Sequence, residues 1–218
     1  MKTLERYTVS EEIANGVSHL AAAVLSVIGT YFLVRIALEK SSVLYLVSAL
    51  VYGLSMILLF VFSGLLHLLP AGKAKNVLSY FDQFSIFLMI AGTYTPFALL
   101  ALKGRASWIV LAVEWILAVF GIVLKAFDKE EIEGSSKSIF IVIYLIMGWA
   151  FVIAWRQFYL ALGMDGLLMV LAAGLLYTSG IIFYRWHSLK FHHLIWHLFV
   201  VAAAAIFYYV ILTKVFLV

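Results

Sequence analysis

The sequence predicts an all-α membrane protein built as a seven-transmembrane helix bundle. Of its 218 residues, 66% are hydrophobic and only 12% are charged, and the mean hydropathy is +1.10. A soluble domain of this size cannot bury so much apolar surface, so lipid is the expected solvent. Seven apolar stretches are also long enough to cross a bilayer as helices of about 20 residues.

The predicted spans form a single domain, residues 1–218, without an internal repeat or a linker. They cover residues 15–38, 43–69, 77–102, 106–125, 138–157, 164–186 and 192–215. The longest break, residues 126–137, contains the acidic run Asp128-Lys129-Glu130-Glu131 and then Gly134-Ser135-Ser136. This composition predicts a solvated loop, with a serine capping the fifth helix.

Lysine and arginine are unevenly distributed between the breaks. If the N-terminus is inside, nine of these residues lie on the inner side: Lys2, Arg6, Lys73, Lys75, Lys125, Lys129, Lys137, Arg185 and Lys190. Six lie on the outer side: Arg35, Lys40, Lys103, Arg105, Arg156 and Lys214. Because basic residues favour the cytoplasmic side, we expect the N-terminus inside and the C-terminus outside.

The same features define the expected cellular location. The basic residues lie between apolar segments, so they indicate topology and no nucleic-acid surface is expected. The segment from Met1 to Glu12 is mixed in charge and has no short apolar run before a cleavage site, so a removable signal peptide is not expected. We expect a multi-pass protein of the cell inner (plasma) membrane.

Polar side chains are predicted to gather at one end of the bundle. His193 and His197 lie four residues apart at the head of the last span, so they share a helix face. His67 ends the second span and Asp82 lies near the start of the third. The alternating direction of the helices places these side chains in one layer, within about two turns of the membrane boundary. Three residues of the first span fall in the same layer: Glu12, Asn15 and His19.

This layer predicts a metal site. The chain has no cysteine, so imidazole and carboxylate are the available ligands. Zinc binding in small peptides is worth about 10–16 kcal/mol, against about 2.5–3.5 kcal/mol for a carboxylate at the bilayer centre. A bound cation therefore easily offsets the burial of Asp82. Imidazole ligands with one oxygen suit zinc best, and His67, His193 and His197 would fill three of its positions.

A zinc with three protein ligands leaves its fourth position for water, as catalytic sites do. Such a water can attack a carbonyl carbon, with Asp82 accepting its proton or holding it in line. Ser63 lies one turn before His67 and is expected to hydrogen-bond the water or a developing oxyanion. The predicted chemistry is hydrolysis of an amide or ester bond, with a membrane lipid as substrate or ligand.

Other interpretations of the same residues remain open. The protein is alternatively a non-enzymatic homeostasis factor, channel or cytolysin with a structural or regulatory zinc, or a metal-free relay that moves protons. A pore needs polar residues at all depths, whereas the predicted outer half has few, which disfavours a constitutive pore. An interfacial position is an equal alternative for His193 and His197, and the favoured one for His187 and His192.

Two mid-span features have no assigned role. Pro96 is expected to kink the third helix, with the hydroxyls of Thr93, Tyr94 and Thr95 satisfying freed backbone groups or lining a cavity. Glu114 lies in the middle of the fourth span, where it faces a cavity, is protonated or pairs with another helix.

With these residues in place, the chain resembles the hemolysin III family, the bacterial branch of the progestin and adiponectin receptor superfamily, which is related to alkaline ceramidases. The matching pieces span nearly the whole chain: Glu12-Ile13-Ala14-Asn15 with His19, Ser63 with His67, Asp82 ahead of Ala91-Gly92-Thr93-Tyr94-Thr95-Pro96, and His193 with His197.

The resemblance implies seven helices, a cytoplasmic N-terminus, and zinc at the residues matching His67, His193 and His197. Asp82 would bind through a water, with Ser63 in the same pocket. The receptors and ceramidases are associated with lipid amide hydrolysis. Bacterial members carry the hemolysin name and are linked to membrane energetics and lipid fluidity.

Overall fold

The computed structural model describes residues 7–128 and 138–218, and all of the secondary structure in these residues is helical. Residues 129–137, which include most of the predicted acidic loop and its capping serine, lie outside the described residues. The helices are α1 (Val9–Glu39), α2 (Val43–Leu68), α3 (Lys73–Pro96), α4 (Gly104–Phe127), α5 (Ser138–Gly148), α6 (Trp155–Arg185) and α7 (His192–Ile211).

Among the described residues, six helices are long and apolar enough to cross a membrane. They are Val9–Glu39, Val43–Leu68, Lys73–Ala101, Gly104–Phe127, Trp155–Arg185 and His192–Phe216. A seventh apolar helix, Ser138–Val152, is shorter. The predicted all-helical membrane fold is therefore confirmed, whereas the seven-span count and the orientation stay predictions.

Helix α1 begins at Val9, six residues before the predicted start of the first span. The reason is a capping box at Thr8: its hydroxyl accepts a hydrogen bond from the Glu11 amide, and the Glu11 carboxylate accepts one from the Thr8 amide at 3.0 Å. The longer helix places Glu11 and Glu12 in its first turn.

The fifth predicted span, residues 138–157, is interrupted. Helix α5 ends at Gly148, a 3₁₀ turn covers Ala150–Val152, and α6 begins at Trp155. The Tyr94 hydroxyl donates to the Gly148 carbonyl and accepts from the Phe151 amide, both at 3.0 Å. Because another helix satisfies these backbone groups, the break is tolerated inside an apolar bundle.

Helix α6 contains a second break, at Gly163, whose φ of 73° lies in the left-handed region that favours glycine. The predicted sixth span, which starts at residue 164, begins directly after this position. The helical segment ahead of Gly163, residues 155–162, therefore covers most of the predicted break between the fifth and sixth spans.

Helix α3 ends at Pro96, and the chain continues as a π-helical turn over Phe97–Ala101. The hydroxyls of Thr93 and Thr95 donate to the carbonyls four residues earlier, at 2.7 and 2.9 Å. The carbonyl that Pro96 leaves without its helical donor belongs to Gly92. The predicted role of the hydroxyls is therefore wrong in this detail, because they bond neighbouring carbonyls.

From α1 to α5 each helix packs against the next, and α7 packs against both α6 and α1. This arrangement places α1 between α2, which carries His67, and α7, which carries His193 and His197. The first helix therefore lies beside all of the predicted histidine ligands, although it contributes none of them.

Candidate metal centre

The three predicted ligand histidines meet at one end of the bundle. The candidate ligand atoms of His67, His193 and His197 all lie within 4.8 Å of one another. The ring centroids are 4.9 Å apart for His67 and His193, 5.0 Å for His67 and His197, and 4.6 Å for His193 and His197. The structure confirms the predicted cluster, and this group could hold one metal ion. We call these three side chains the histidine cluster.

His67 is held from the first helix. Its Nδ1 atom lies 2.5 Å from Glu12 Oε2, and the other carboxylate oxygen of Glu12 accepts from Lys75 Nζ at 2.7 Å. A carboxylate only accepts hydrogen bonds, so Nδ1 of His67 is the donor. In the neutral ring, Nε2 of His67 then carries the lone pair that a metal ion needs.

His197 is held from the same helix by a different group. Its Nδ1 atom lies 3.1 Å from the Asn15 carbonyl oxygen and 3.3 Å from the Ser18 hydroxyl. A carbonyl also accepts only, so Nε2 of His197 is again the atom with a free lone pair. Hydrogen bonds from the non-ligating nitrogen are the usual support of metal-binding histidines.

His193 completes the donor set and gives an independent test of its fit to a metal. Its Nδ1 atom is buried and has no hydrogen-bond partner within residues 7–128 and 138–218. A buried polar atom normally has a partner, and the ring lies against the two other histidines. Three clustered imidazoles, one of them with a buried and unsatisfied nitrogen, fit a zinc ion.

Asp82 and Ser63, the predicted catalytic pair, line the same cavity as the histidine cluster. The Ser63 side chain hydrogen-bonds the Asp82 carboxylate, and Asp82 is close enough to His67 to interact with it electrostatically. The structure thus brings the predicted site residues together at one end of the cavity. Their roles in catalysis and in binding a metal through water stay predictions.

Two glycines set the distance between α1 and α2 at this site. A Cβ atom added to Gly64 would lie 2.7 Å from Leu20 Cγ and 3.1 Å from the Gly16 carbonyl oxygen. A Cβ atom on Gly16 would lie 2.6 Å from the Leu68 side chain. The absence of side chains at this crossing lets the first turns of α1 approach the end of α2, where His67 lies.

Several neighbours of the site had no role in the sequence-based prediction. His19 is buried and its ring stacks on His197, with centroids 3.5 Å apart and planes 8° apart. The ring of Tyr7 lies 5.1 Å from that of His193. From the sequence, Lys75 indicates only which side of the membrane its loop occupies. The near-helical spacing of Glu12 and His19 was the one signal in the sequence that pointed to the first helix.

The histidines near the start of α7 that were expected to be interfacial differ from each other. His187 is exposed. His192 is buried, and its Nδ1 atom lies 3.0 Å from the Phe183 carbonyl oxygen. His192 therefore connects α6 to α7, and the interfacial position of His187 and His192 stays a prediction.

The cavity extends from the histidine cluster into the bundle. Its volume is about 220 Å³, and part of it is open to the exterior. Away from the histidines its walls are mostly apolar, with Thr93 and Tyr94 among the exceptions. The apolar lining includes Leu59, Ile86, Ile90, Trp149, Val200 and Phe207. The cavity therefore has one polar end and a long apolar part.

With this geometry established, comparisons with known proteins identify the family. A family model described as "Haemolysin-III related" matches residues 7–208. The chain belongs to this family. Among curated members, it is 39% identical to "Hemolysin-3" of Bacillus cereus over 204 residues, which are 94% of this chain and 91% of the relative. It is 38% identical to "Hemolysin-3 homolog" of Bacillus subtilis (strain 168) over 206 residues, 94% of this chain and 95% of the relative.

A more distant relative extends the similarity beyond bacteria. The human "Monocyte to macrophage differentiation factor" is 28% identical over 219 residues, which cover 94% of this chain and 84% of the relative. Such distant relatives belong to the progestin and adiponectin receptor family. The resemblance inferred from the site residues is confirmed.

Proposed function

We propose that this haemolysin-III-related protein is a zinc-dependent hydrolase that cleaves an amide or ester bond of a membrane lipid. The observation that carries the proposal is the cavity, which joins the histidine cluster, Asp82 and Ser63 at one end to a long apolar interior. This shape fits a ligand with a polar reacting group and a hydrocarbon chain.

The donor set favours zinc over other common metals. Three imidazoles leave one position of a tetrahedral zinc for water or substrate, which is the pattern of catalytic zinc sites. Magnesium and calcium prefer all-oxygen sites, which the histidine cluster does not provide. A zinc ion bound here would supply Lewis acidity toward the carbonyl group of the substrate.

The protein residues account for the proton transfers. Asp82 accepts a proton from the water that adds to the carbonyl carbon, and Ser63 holds the Asp82 carboxylate in place through their hydrogen bond. The carbon–nitrogen or carbon–oxygen bond then breaks. Asp82 returns the proton to the leaving amine or alcohol, so the products are a carboxylic acid and a free amine or alcohol.

The proposal is tested with protein purified in detergent, replenished with zinc and supplied with a panel of ceramides, other acyl amides and acyl esters. Release of fatty acid is measured for the wild type, for Asp82→Asn and for a control, Glu39→Gln, on the exposed opposite end of α1. We expect release that a chelator stops and Asp82→Asn abolishes. Stoichiometric zinc without hydrolysis across the panel would contradict the proposal.

The hemolysin name of the two Bacillus relatives favours a second function, a cytolysin or channel in which zinc is structural or regulatory. Dye-filled liposomes distinguish the two functions. The hydrolase proposal predicts that wild-type protein causes no leakage from liposomes of lipids that it does not cleave. Leakage that persists after zinc removal would favour the cytolysin. A homeostasis factor would bind zinc and do neither, and a proton relay would need no metal.

We further propose that the protein is a seven-span plasma-membrane protein with its N-terminus inside. Because the chain has no cysteine, single cysteines introduced at exposed turns report the topology directly. Ser41→Cys, between α1 and α2, should react with a membrane-impermeant thiol reagent in intact cells. Ser188→Cys, between α6 and α7, should react only after the cells are opened. The reverse labelling pattern would contradict the proposed orientation.

A further inference from the structure

We propose that Glu12 is a positioning residue that fixes the metal-binding nitrogen of His67, and that Lys75 holds Glu12 in place for this task. The inference rests on the proposed metal site and adds residues from two further helices to it. The geometry that supports it is a continuous chain of contacts from Lys75 Nζ through the two oxygens of Glu12 to His67 Nδ1.

The two contacts use both carboxylate oxygens. Glu12 Oε2 lies 2.5 Å from His67 Nδ1, and Glu12 Oε1 lies 2.7 Å from Lys75 Nζ. The side chains of His67, Lys75 and Glu12 are 6%, 9% and 17% exposed, so water screens these interactions little. Both oxygens of Glu12 already accept a hydrogen bond, and Glu12 is not among the residues whose ligand atoms lie within 4.8 Å of one another, so its carboxylate orients a ligand and does not join the histidine cluster.

The contact determines which imidazole nitrogen can bind a metal. A neutral His67 ring that donates from Nδ1 to the carboxylate carries its lone pair on Nε2. The same contact stops the ring from turning about its Cβ–Cγ bond. His67 would otherwise be free to present either nitrogen.

Lys75 supplies the positive charge that the Glu12 carboxylate needs at this buried position. It lies in the first turn of α3, whereas Glu12 lies on α1 and His67 on α2, so the chain of contacts joins the ends of three helices. A buried carboxylate without a cation is costly, and the ion pair removes that cost. Lys75 thereby keeps Glu12 in the ionised, acceptor-only form that the His67 contact requires.

The partner of His197 shows why Glu12 is the informative position. His197 Nδ1 bonds the main-chain carbonyl of Asn15, also on α1, and no substitution removes a carbonyl. Helix α1 thus orients two ligand histidines, one through its backbone and one through a side chain. The contact between Glu12 and His67 can be changed without altering the main chain, as can the longer contact between the Ser18 hydroxyl and His197 Nδ1.

The test measures zinc affinity by competition with a chelator, together with the visible absorption of the cobalt(II)-substituted protein, on purified full-length chain. For Glu12→Gln we expect a 10- to 100-fold loss of zinc affinity, the usual effect of losing such a partner, and a shifted cobalt spectrum. Glu12→Asp, which keeps the carboxylate on a shorter side chain, should recover part of the affinity. Glu39→Gln, at the other end of α1, should match the wild type.

A second pair of variants tests the role of Lys75. Lys75→Met should lower zinc affinity by about 10-fold, the lower end of that range, because Glu12 stays in place without its cation. The matched control is Lys73→Met, an exposed lysine in the same turn of α3, which should bind zinc as the wild type does. If Glu12→Gln does not fold, the difference in zinc affinity between Lys75→Met and Lys73→Met still tests whether this chain of contacts positions His67.

The outcomes separate the inference from the proposed function. If the wild type binds no zinc, the proposed metal function fails. If the wild type binds zinc and Glu12→Gln binds it equally well with an unchanged cobalt spectrum, the positioning role is wrong while the metal site stands. Equal zinc affinity of Lys75→Met and Lys73→Met would overturn the role of Lys75.

Discussion

Two buried glutamates show how differently this bundle treats the same side chain. Glu12, in the first turn of α1, bonds His67 and Lys75 with its two oxygens. Glu114, near the middle of α4, is completely buried and, within the part of the chain that the structure describes, has no hydrogen-bond partner at either oxygen. It is also absent from the lining of the cavity.

The difference follows from the position of each residue along its helix. A residue at a helix end can meet polar side chains from the ends of neighbouring helices, and three such ends converge at Glu12. A residue in the middle of a span meets mostly apolar side chains, because lipid and helix packing select them. Glu12, which has two partners, therefore supports the histidine cluster, whereas Glu114, which has none among the described residues, lowers the stability of the protein.

The largest expected effect is the loss of metal binding in His193→Ala. Removing one of three imidazoles should weaken zinc binding by more than about 100-fold, beyond the range for residues that only support a ligand. Metal content after dialysis, measured beside the wild type, checks this result. His187→Ala, an exposed histidine, is the control and should keep its zinc. Full zinc content in His193→Ala would contradict the site.

Asp82→Asn should lower the rate of hydrolysis much more than the affinity for zinc. A positioned proton acceptor contributes about 10²–10⁴-fold to a rate, so lipid hydrolysis should fall by that factor. Zinc affinity should fall much less than in His193→Ala, because Asp82 is expected to reach the metal only through water. Rates and zinc affinities of the two variants, measured together, provide the check. An unchanged rate would remove Asp82 from the mechanism.

Methionine at each glutamate should give opposite changes in stability. Glu12→Met loses a charged hydrogen bond and leaves Lys75 without its partner, so the free energy of unfolding should fall by about 2 kcal/mol. Glu114→Met removes an unsatisfied polar group from an apolar site, so the free energy of unfolding should rise by about 1–3 kcal/mol. Denaturation in mixed micelles measures both. A fall in Glu114→Met would indicate a partner that the described residues do not show.

The smallest expected effect on metal binding belongs to Gly64→Ala. The added Cβ meets Leu20 and the Gly16 backbone, so α1 must move away from α2 and zinc affinity should fall by a few-fold. Gly121→Ala, on α4, is a matched control because its Cβ would lie 2.2 Å from the Phe87 ring, and neither Gly121 nor Phe87 lines the cavity. Both variants should lose about 1–3 kcal/mol of stability, the usual cost of overpacking. Equal zinc affinities in the two would contradict the role of the crossing.

Much of the histidine cluster could be predicted from the sequence because its geometry is local. His193 and His197 share a helix face by spacing alone, and alternating helix direction brings His67 to the same end. The contact between Glu12 and His67 could not be predicted in this way. It depends on the close crossing at Gly16 and Gly64 and on α1 starting at the Thr8 cap.

The helix breaks were predicted less well, for a related reason. The sequence shows no proline between residues 138 and 157, so a continuous span was expected. The break after Gly148 is made possible by Tyr94 of α3, whose hydroxyl hydrogen-bonds the Gly148 carbonyl and the Phe151 amide. Such compensation between distant segments leaves no periodic signal in the sequence.

The most direct test of the proposed zinc site is zinc K-edge X-ray absorption on the purified, zinc-replenished protein. We expect about one zinc per chain, with three imidazole nitrogens at about 2.0–2.1 Å and one oxygen at a similar distance. A chain that retains no zinc after replenishment, or zinc with a shell of oxygen ligands alone, would contradict the proposed site.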